Sequence, residues 1–267
     1  MIVGRTLFRV YGIPIRPSVT VLVPIGLLAL QFGAWGAVAG VLLFGSVLLH
    51  ELGHARVAQH YGIPVTSIHL HLLGGVAMMA DMPREPRREA IIAAAGPLVS
   101  FALAAGFGGL ALVTGGRLPT LPGLGQAWSD LFAYAAVLNL GMALFNLLPA
   151  LPMDGGRILR AIWAHHRGWL KATRAAAKIS RVFAVLFFVG GLALGAWSLA
   201  LIGGLLFFLV GAEERAVKQR LESPPSSAPT FGPPGPAPGL AGAGRLVWLK
   251  GPEGWVLVRV SAPPGPR

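Results

Sequence analysis

Apolar residues run in long unbroken stretches along this chain, and the polar interruptions divide it into segments. Residues 18–50 form one such run, softened only at Gln31-Phe32-Gly33-Ala34-Trp35-Gly36. Two helices are predicted there, with the second continuing to about Tyr61. Runs over 88–114 and 128–148 predict two more, because about 20 apolar residues cross a bilayer. The last long run, within 172–212, has an uncharged core from Val182 to Ala212. That core is long for one span and short for two, and the break at Gly195-Ala196-Trp197 favours two. The expected fold class is an α-helical polytopic membrane protein with about six transmembrane helices.

The segment between the second and third spans follows a different rule. Residues 63–80 are rich in β-branched and apolar side chains, alternate in part, and carry Gly74-Gly75. One or two strands that turn at the glycines are expected. They form a small membrane-associated β-sheet after the second helix. Such a sheet must lie against protein or a watery cavity, because lipid cannot satisfy its edges. Beyond Glu222 the composition shifts to a Pro/Gly/Ser linker that cannot form a core. The final Arg245–Val260 stretch reads as two alternating runs around Gly251-Pro252-Glu253-Gly254, a hairpin pattern. The expected division is a transmembrane core over 1–215, a linker over 216–244 and a short β-hairpin tail over 245–267. One expectation is that this hairpin pairs with the 63–80 region and controls access to it. No internal repeat is present. The N-terminal 18 residues do not read as a cleavable signal peptide, since their apolar stretch is short and no small-residue cleavage site closes it.

Composition agrees with the pattern. The chain of 267 residues is 54% hydrophobic and 12% charged, with mean hydropathy +0.67, whereas soluble domains carry about a quarter charged residues. The absence of cysteine excludes disulfides and thiolate metal ligands. A net charge of +12 raises nucleic acid as a partner, but no basic-aromatic module accompanies it, so nucleic acid is excluded. Cytoplasmic loops explain the cations better. With six spans and both termini cytoplasmic, 21 of the 22 lysines and arginines fall on the inside and only Arg117 outside, as the positive-inside rule requires. A multi-pass protein of the cell membrane with both termini in the cytoplasm is expected, with the lipid bilayer as its first partner.

Against this apolar background, Glu51 and Asp154 are the acids expected in a span or its immediate continuation. An acid at that depth marks a functional site. His50-Glu51-Leu52-Gly53-His54 fits the pattern H-E-x-x-H within the second helix. Positions i and i+4 share a helix face, so His50 and His54 can hold one metal ion. Glu51 beside them is placed to take a proton from an activated water. Neutral nitrogen ligands suit zinc, and a catalytic zinc takes three protein ligands and keeps one position open. The third ligand is sought in Phe145–Arg157. There Asp154 follows Pro149 and Pro152, which stop a regular helix, and precedes Gly155-Gly156, which let the backbone turn and approach closely. Asp154 also has the character of a helix N-cap; its pairing with the histidine motif favours the ligand. Asn146 either bonds a neighbouring helix or donates its amide to an oxyanion. Among the other histidines, His69 and His71 lie on the strand segment and read as interfacial, while His165 and His166 sit in a basic loop. Gly96-Pro97 carries no reactive group and reads as a kink or a close-packing point in the third span.

Together, His50-Glu51-Leu52-Gly53-His54, Gly74-Gly75, Ala95-Gly96-Pro97 and Asn146 through Asp154-Gly155-Gly156 resemble the site-2 protease family of intramembrane zinc metalloproteases. The resemblance covers roughly residues 1–215. It implies one zinc ion held by His50, His54 and Asp154, Glu51 as catalytic base, and Asn146 as stabiliser of the scissile carbonyl. It also implies hydrolysis of peptide bonds within or beside transmembrane segments of membrane proteins. Regulated intramembrane proteolysis, often with a regulatory membrane partner, is the usual setting. Three features depart from the family. Ser100 stands where many relatives carry Asn, no loop is long enough for a PDZ domain, and the tail is not a pair of CBS domains. Two rival classes are a membrane metal-binding or metal-transport protein, which would string polar groups along a path, and an inactive scaffold for transmembrane helices.

Overall fold

The computed structural model describes residues 6–72, 74–79, 85–115, 128–222, 245–251 and 254–260. The chain opens with strands β1 (Phe8–Val10) and β2 (Ile13–Pro17), an antiparallel hairpin. The two residues between them, Tyr11 and Gly12, both have positive φ (50° and 79°), the signature of a tight turn that matches strand twist. A single 3-10 turn, Val19–Val21, capped by the Ser18 hydroxyl, leads into α1 (Leu22–His60).

Thirty-nine helical residues in a straight rod would extend about 58 Å, nearly twice a bilayer core. The rod is broken at Gly33, whose φ of 62° and ψ of −145° suit only glycine. The chain folds back there. A Cβ on Gly36 would meet the Leu28 carbonyl oxygen at 1.9 Å, and one on Gly40 would meet Ile25 Cα at 3.1 Å. The softened stretch in the first apolar run is therefore a helical hairpin.

Strands β3 (Val65–His71) and β4 (Gly74–Met79) follow α1. They pair antiparallel, with Ile68 opposite Ala77 and His71 opposite Gly74. β3 also pairs with β2 in parallel, so the whole of α1 serves as the crossover that parallel strands need. The four-stranded sheet runs β1-β2-β3-β4. Ile13, Ile15, Ile68 and Leu70 from its buried face pack with Phe44, Leu52 and Ala55 of α1. The sequence pattern revealed the second hairpin and missed the first. β1 and β2 are short and carry two prolines between them, and β2 is held by a partner fifty residues away.

Helices α2 (Pro86–Val113), α3 (Trp128–Asn146), α4 (Asp154–Arg167), α5 (Trp169–Ala193) and α6 (Trp197–Glu222) complete the core. Among the described residues, four helical stretches are long and apolar enough to cross a membrane: Val19–His60, Pro86–Val113, Trp169–Ala193 and Trp197–Gln219. The first two expected helices correspond to the two arms of α1 on either side of Gly33. The fourth apolar run gives a shorter apolar stretch, Asp130–Asn146. The outer surface of these helices is apolar, with Val182, Val185, Leu186, Val189 and Leu192 of α5 all exposed, as lipid contact requires. This is a membrane protein. Helix α6 continues through the expected boundary at residue 215 to Glu222; the rest of the expected linker, 223–244, lies outside the described residues. Strands β5 (Arg245–Gly251) and β6 (Gly254–Val260) form a two-stranded sheet of their own and do not extend the first one.

Candidate metal centre

One face of α2 builds half of the centre. Glu89, Ile92, Gly96 and Ser100 recur at steps of three and four, so they line one side of the helix, and all four are buried. This side meets His50 and His54 of α1. The His54 Nδ1–H donates to the Ile92 carbonyl at 2.7 Å. His50 Nδ1 bonds the Ser100 hydroxyl at 2.8 Å. Between them stands Gly96, where a Cβ would come within 2.2 Å of His54 Nε2 and 2.6 Å of His50 Nε2. The glycine of the Gly96-Pro97 pair is thus required by the space the two imidazole tips occupy.

The other half comes from α4. The Asn146–Met153 segment leaves α3 and turns, and the Leu151 N–H is held by the Ser180 hydroxyl of α5 at 2.7 Å. Gly155 and Gly156 lie against the backbone of Leu147 and Leu151. Asp154 is the first residue of α4, and the cap position belongs to Met153, which makes no side-chain cap bond. The Asp154 side chain is therefore free of a capping role and enters the site. Its Oδ2 lies 3.3 Å from His50 Nε2 and 3.2 Å from His54 Nε2, and the two Nε2 atoms are 3.2 Å apart. Burial alone would raise the Asp154 carboxyl. The adjoining His50 and His54 rings and the Arg157 charge outweigh that effect and hold it well below the ordinary carboxylate range. The first turn of α4 adds the positive end of a helix dipole.

This triangle fits a metal. With Nδ1–H committed to Ile92, a neutral His54 presents the lone pair of Nε2 to the other two atoms. A cation shared by these three buried atoms matches their near-equal spacing. Tetrahedral zinc at about 2.0–2.1 Å from each ligand sets ligand atoms about 3.3–3.4 Å apart, close to the 3.2–3.3 Å found here. His50, Glu51 and His54 also present ligand atoms within 4.8 Å of one another, but the triangle with Asp154 is the tighter one. Glu51 is turned instead toward the sheet, where its Oε2 accepts the Ala77 N–H of edge strand β4 at 3.0 Å.

Asn146, the last residue of α3, donates its amide to the Met142 carbonyl one turn back at 3.0 Å. His69 bonds Ser67 along β3, and the adjacent rings of His165 and His166 lie at the exposed end of α4, so these three stand apart from the triangle. Sequence reasoning missed four contributors, Ser100, Glu89, Arg160 and Glu213. Ser100, noted only as a departure, fixes the His50 ring. Glu89, not singled out in the sequence although it falls at the start of the 88–114 run, is fully buried in the first turn of α2. It bonds Arg160 of α4, which also bonds Glu213 of α6. The available signal for Glu89 was its position seven residues before Gly96, on the same helix face.

Fold and site together define a class: a membrane protein whose apolar helices enclose a histidine–carboxylate centre of zinc-like dimensions. Residues 38–120 and 122–190 match peptidase family M50. The chain belongs to that family. It is 41% identical to a zinc metalloprotease of Methanocaldococcus jannaschii over 79% of this chain and 60% of the relative. It is 30% identical to stage IV sporulation protein FB of Bacillus subtilis over 74% of this chain and 62% of that protein. Its length thus spans about three fifths of these curated relatives. Among solved structures it resembles a site-2 protease from Methanocaldococcus jannaschii, with 38% identity, TM-score 0.60, and coverage of 78% of this chain and 94% of the other.

Proposed function

We propose that this protein is an intramembrane zinc metalloprotease that hydrolyses peptide bonds within or beside transmembrane segments of other membrane proteins. The observation that carries the reading is the buried triangle of His50 Nε2, His54 Nε2 and Asp154 Oδ2, with sides of 3.2–3.3 Å and Glu51 alongside. His50, His54 and Asp154 are assigned as zinc ligands. Zinc, when bound, polarises a carbonyl and acidifies water. Support for zinc over other metals comes from the imidazole-rich, thiolate-free donor set and from the names of the relatives.

The chain's own residues supply the rest. Glu51 takes the proton from water and delivers it to the leaving amine. The Ala77 N–H steadies one Glu51 oxygen and leaves the other for that proton. Asn146, now bonded within its own helix, is assigned to the developing oxyanion and must turn to reach it. A substrate helix has to unwind first, and the extended segment then adds to the outer edge of β4, which brings it alongside Glu51. Lipid and transmembrane substrates are the partners, with a regulatory membrane partner controlling access, and the setting is regulated intramembrane proteolysis. We assign six spans, both termini in the cytoplasm, a protease core that extends to the end of α6 at Glu222 rather than stopping at 215, and a linker and tail after it. The cation distribution supports this orientation.

The test is cleavage of a tagged single-span substrate in liposomes. Wild type is compared with chelated enzyme, zinc-restored enzyme and Glu51→Gln. Chelation should abolish cleavage and zinc restore it. Glu51→Gln should keep stoichiometric zinc while cleavage falls about 10²–10⁴-fold. Undiminished cleavage by purified Glu51→Gln would overturn the role of Glu51, and chelator-resistant cleavage would overturn the metal mechanism.

A further inference from the structure

A line of alternating charge leads away from the proposed metal centre. Asp154 divides its two oxygens, Oδ2 facing the histidines and Oδ1 facing Arg157 Nη1 at 3.5 Å. Arg157 Nε approaches Glu89 Oε1 at 3.9 Å. The same Glu89 oxygen bonds Arg160 Nη2, and Arg160 Nη1 bonds Glu213 Oε1 at 2.9 Å. Five side chains from α2, α4 and α6 are thereby linked. Glu89 is fully buried and Arg160 is 3% exposed.

A stability argument explains this line poorly. Burying an ion pair costs desolvation that its attraction barely repays, and apolar replacements of equal volume are often as stable or more so. Among the described residues, the cluster also leaves Glu89 Oε2 and Arg160 Nε buried without a hydrogen-bond partner, a cost that a purely structural bridge would avoid. What the cluster does supply is direction. Arg160 lies in the second turn of α4, six residues after Asp154, and is gripped from two sides. Glu89 grips it from the same face of α2 that orients both histidines through Ile92 and Ser100. The position of α4 is therefore referenced to the helix that sets the imidazoles.

We propose that Glu89 and Arg160, assisted by Glu213, are positioning residues that fix the reach of Asp154 toward His50 and His54. The inference rests on the metal-centre reading above. The clamp fixes the translation and rotation of the first turn of α4, and Arg157 transmits that setting to the unused oxygen of Asp154. Because Glu213 belongs to α6, the setting is also sensitive to how α6 docks.

The test measures metal binding, not turnover. Purified wild type, Asp154→Asn, Glu89→Gln, Glu213→Gln and the double variant Glu89→Leu/Arg160→Met are titrated with zinc against a competing chelator. Each is also loaded with cobalt(II), whose visible absorption reports ligand number and geometry, and melted in detergent. Wild type should bind one zinc and Asp154→Asn should bind it more weakly; failure of either would sink the metal-centre reading itself. Given those two results, Glu89→Gln should lose zinc affinity by about 10–100-fold, the range for residues that orient metal ligands. Its cobalt spectrum should shift toward that of Asp154→Asn. Glu213→Gln, partly exposed, should shift both readouts in the same direction by less, and it decides the matter if Glu89→Gln does not fold. The double variant should melt no lower than wild type yet remain weak in zinc binding. Wild-type zinc affinity and cobalt spectrum in every folded variant, whatever its melting point, would show the clamp to be structural only and overturn the proposal.

Discussion

The His50–His54–Asp154 triangle on α1 and α4 and the Glu89–Arg160–Glu213 clamp on α2, α4 and α6 meet along α4, yet their charges are arranged in opposite ways. In the triangle three polar atoms converge at 3.2–3.3 Å, and the guanidinium beside it, Arg157, meets the other Asp154 oxygen at 3.5 Å instead of the converging atoms. In the clamp each carboxylate meets a guanidinium, and the Arg160 charge is held on strongly enough by Glu89 and Glu213 that burial does not strip it. On the proposed reading, the first cluster is completed by an ion from outside the chain and the second from within it. The lesson concerns reading polar groups in an apolar bundle. Burial alone marks both as costly, but only the unmatched set demands a ligand.

Breaking the triangle should have the largest effect. Gly96→Val places a branched side chain where even a Cβ would lie 2.2 Å from His54 Nε2. Neither ring can withdraw, because each is tied through Nδ1. Stoichiometric zinc should be lost from the folded protein, as metal analysis after gel filtration would record. Full zinc occupancy in this variant would mean the imidazole tips are not where the ion sits.

A milder cut separates holding the metal from aiming its ligand. Ser100→Ala removes the bond to His50 Nδ1 and leaves every donor atom of the triangle in place. Zinc affinity should drop by about 10–100-fold, read by chelator competition, with stoichiometric binding restored at high zinc. An unchanged affinity would show that packing against α2 alone sets the His50 ring.

Much of this centre was legible in the sequence because its chemistry is local. His50, Glu51 and His54 lie within five residues, and helical spacing puts both imidazoles on one face. Asp154 stood out as an acid flanked by prolines and glycines after an apolar run. Long apolar runs likewise announced the helices, and the glycine-containing stretch around Gly33 announced the break in α1. The parts that stayed hidden depend on partners far along the chain. Nothing near Glu89 says that Arg160 and Glu213 will surround it, and without them it reads as an acid at the polar end of a span. β2 has the same problem, since Ile13 and Ile15 gain their meaning only from Ile68 and α1. Ser100 was visible as a polar residue in a span, but the ring it orients lies fifty positions earlier.

The smallest expected effect falls on the scaffold beside both clusters. Ser180 of α5 is fully buried; its hydroxyl donates to the Ala176 carbonyl at 2.8 Å and accepts the Leu151 N–H at 2.7 Å. Leu151 is itself fully buried, so Ser180→Ala strands a backbone donor in an apolar setting. Leaving such a group unpaired costs about 1–3 kcal/mol, which should lower the thermal midpoint in detergent by several degrees. Zinc affinity of the folded fraction should change less than in Ser100→Ala, because the segment carrying Asp154 is held a second time by Arg160 and Glu89. A loss of affinity as large as that of Ser100→Ala would mean that Ser180, through the Leu151 turn, aims Asp154 directly, and the clamp would then share that task with a residue that carries no charge.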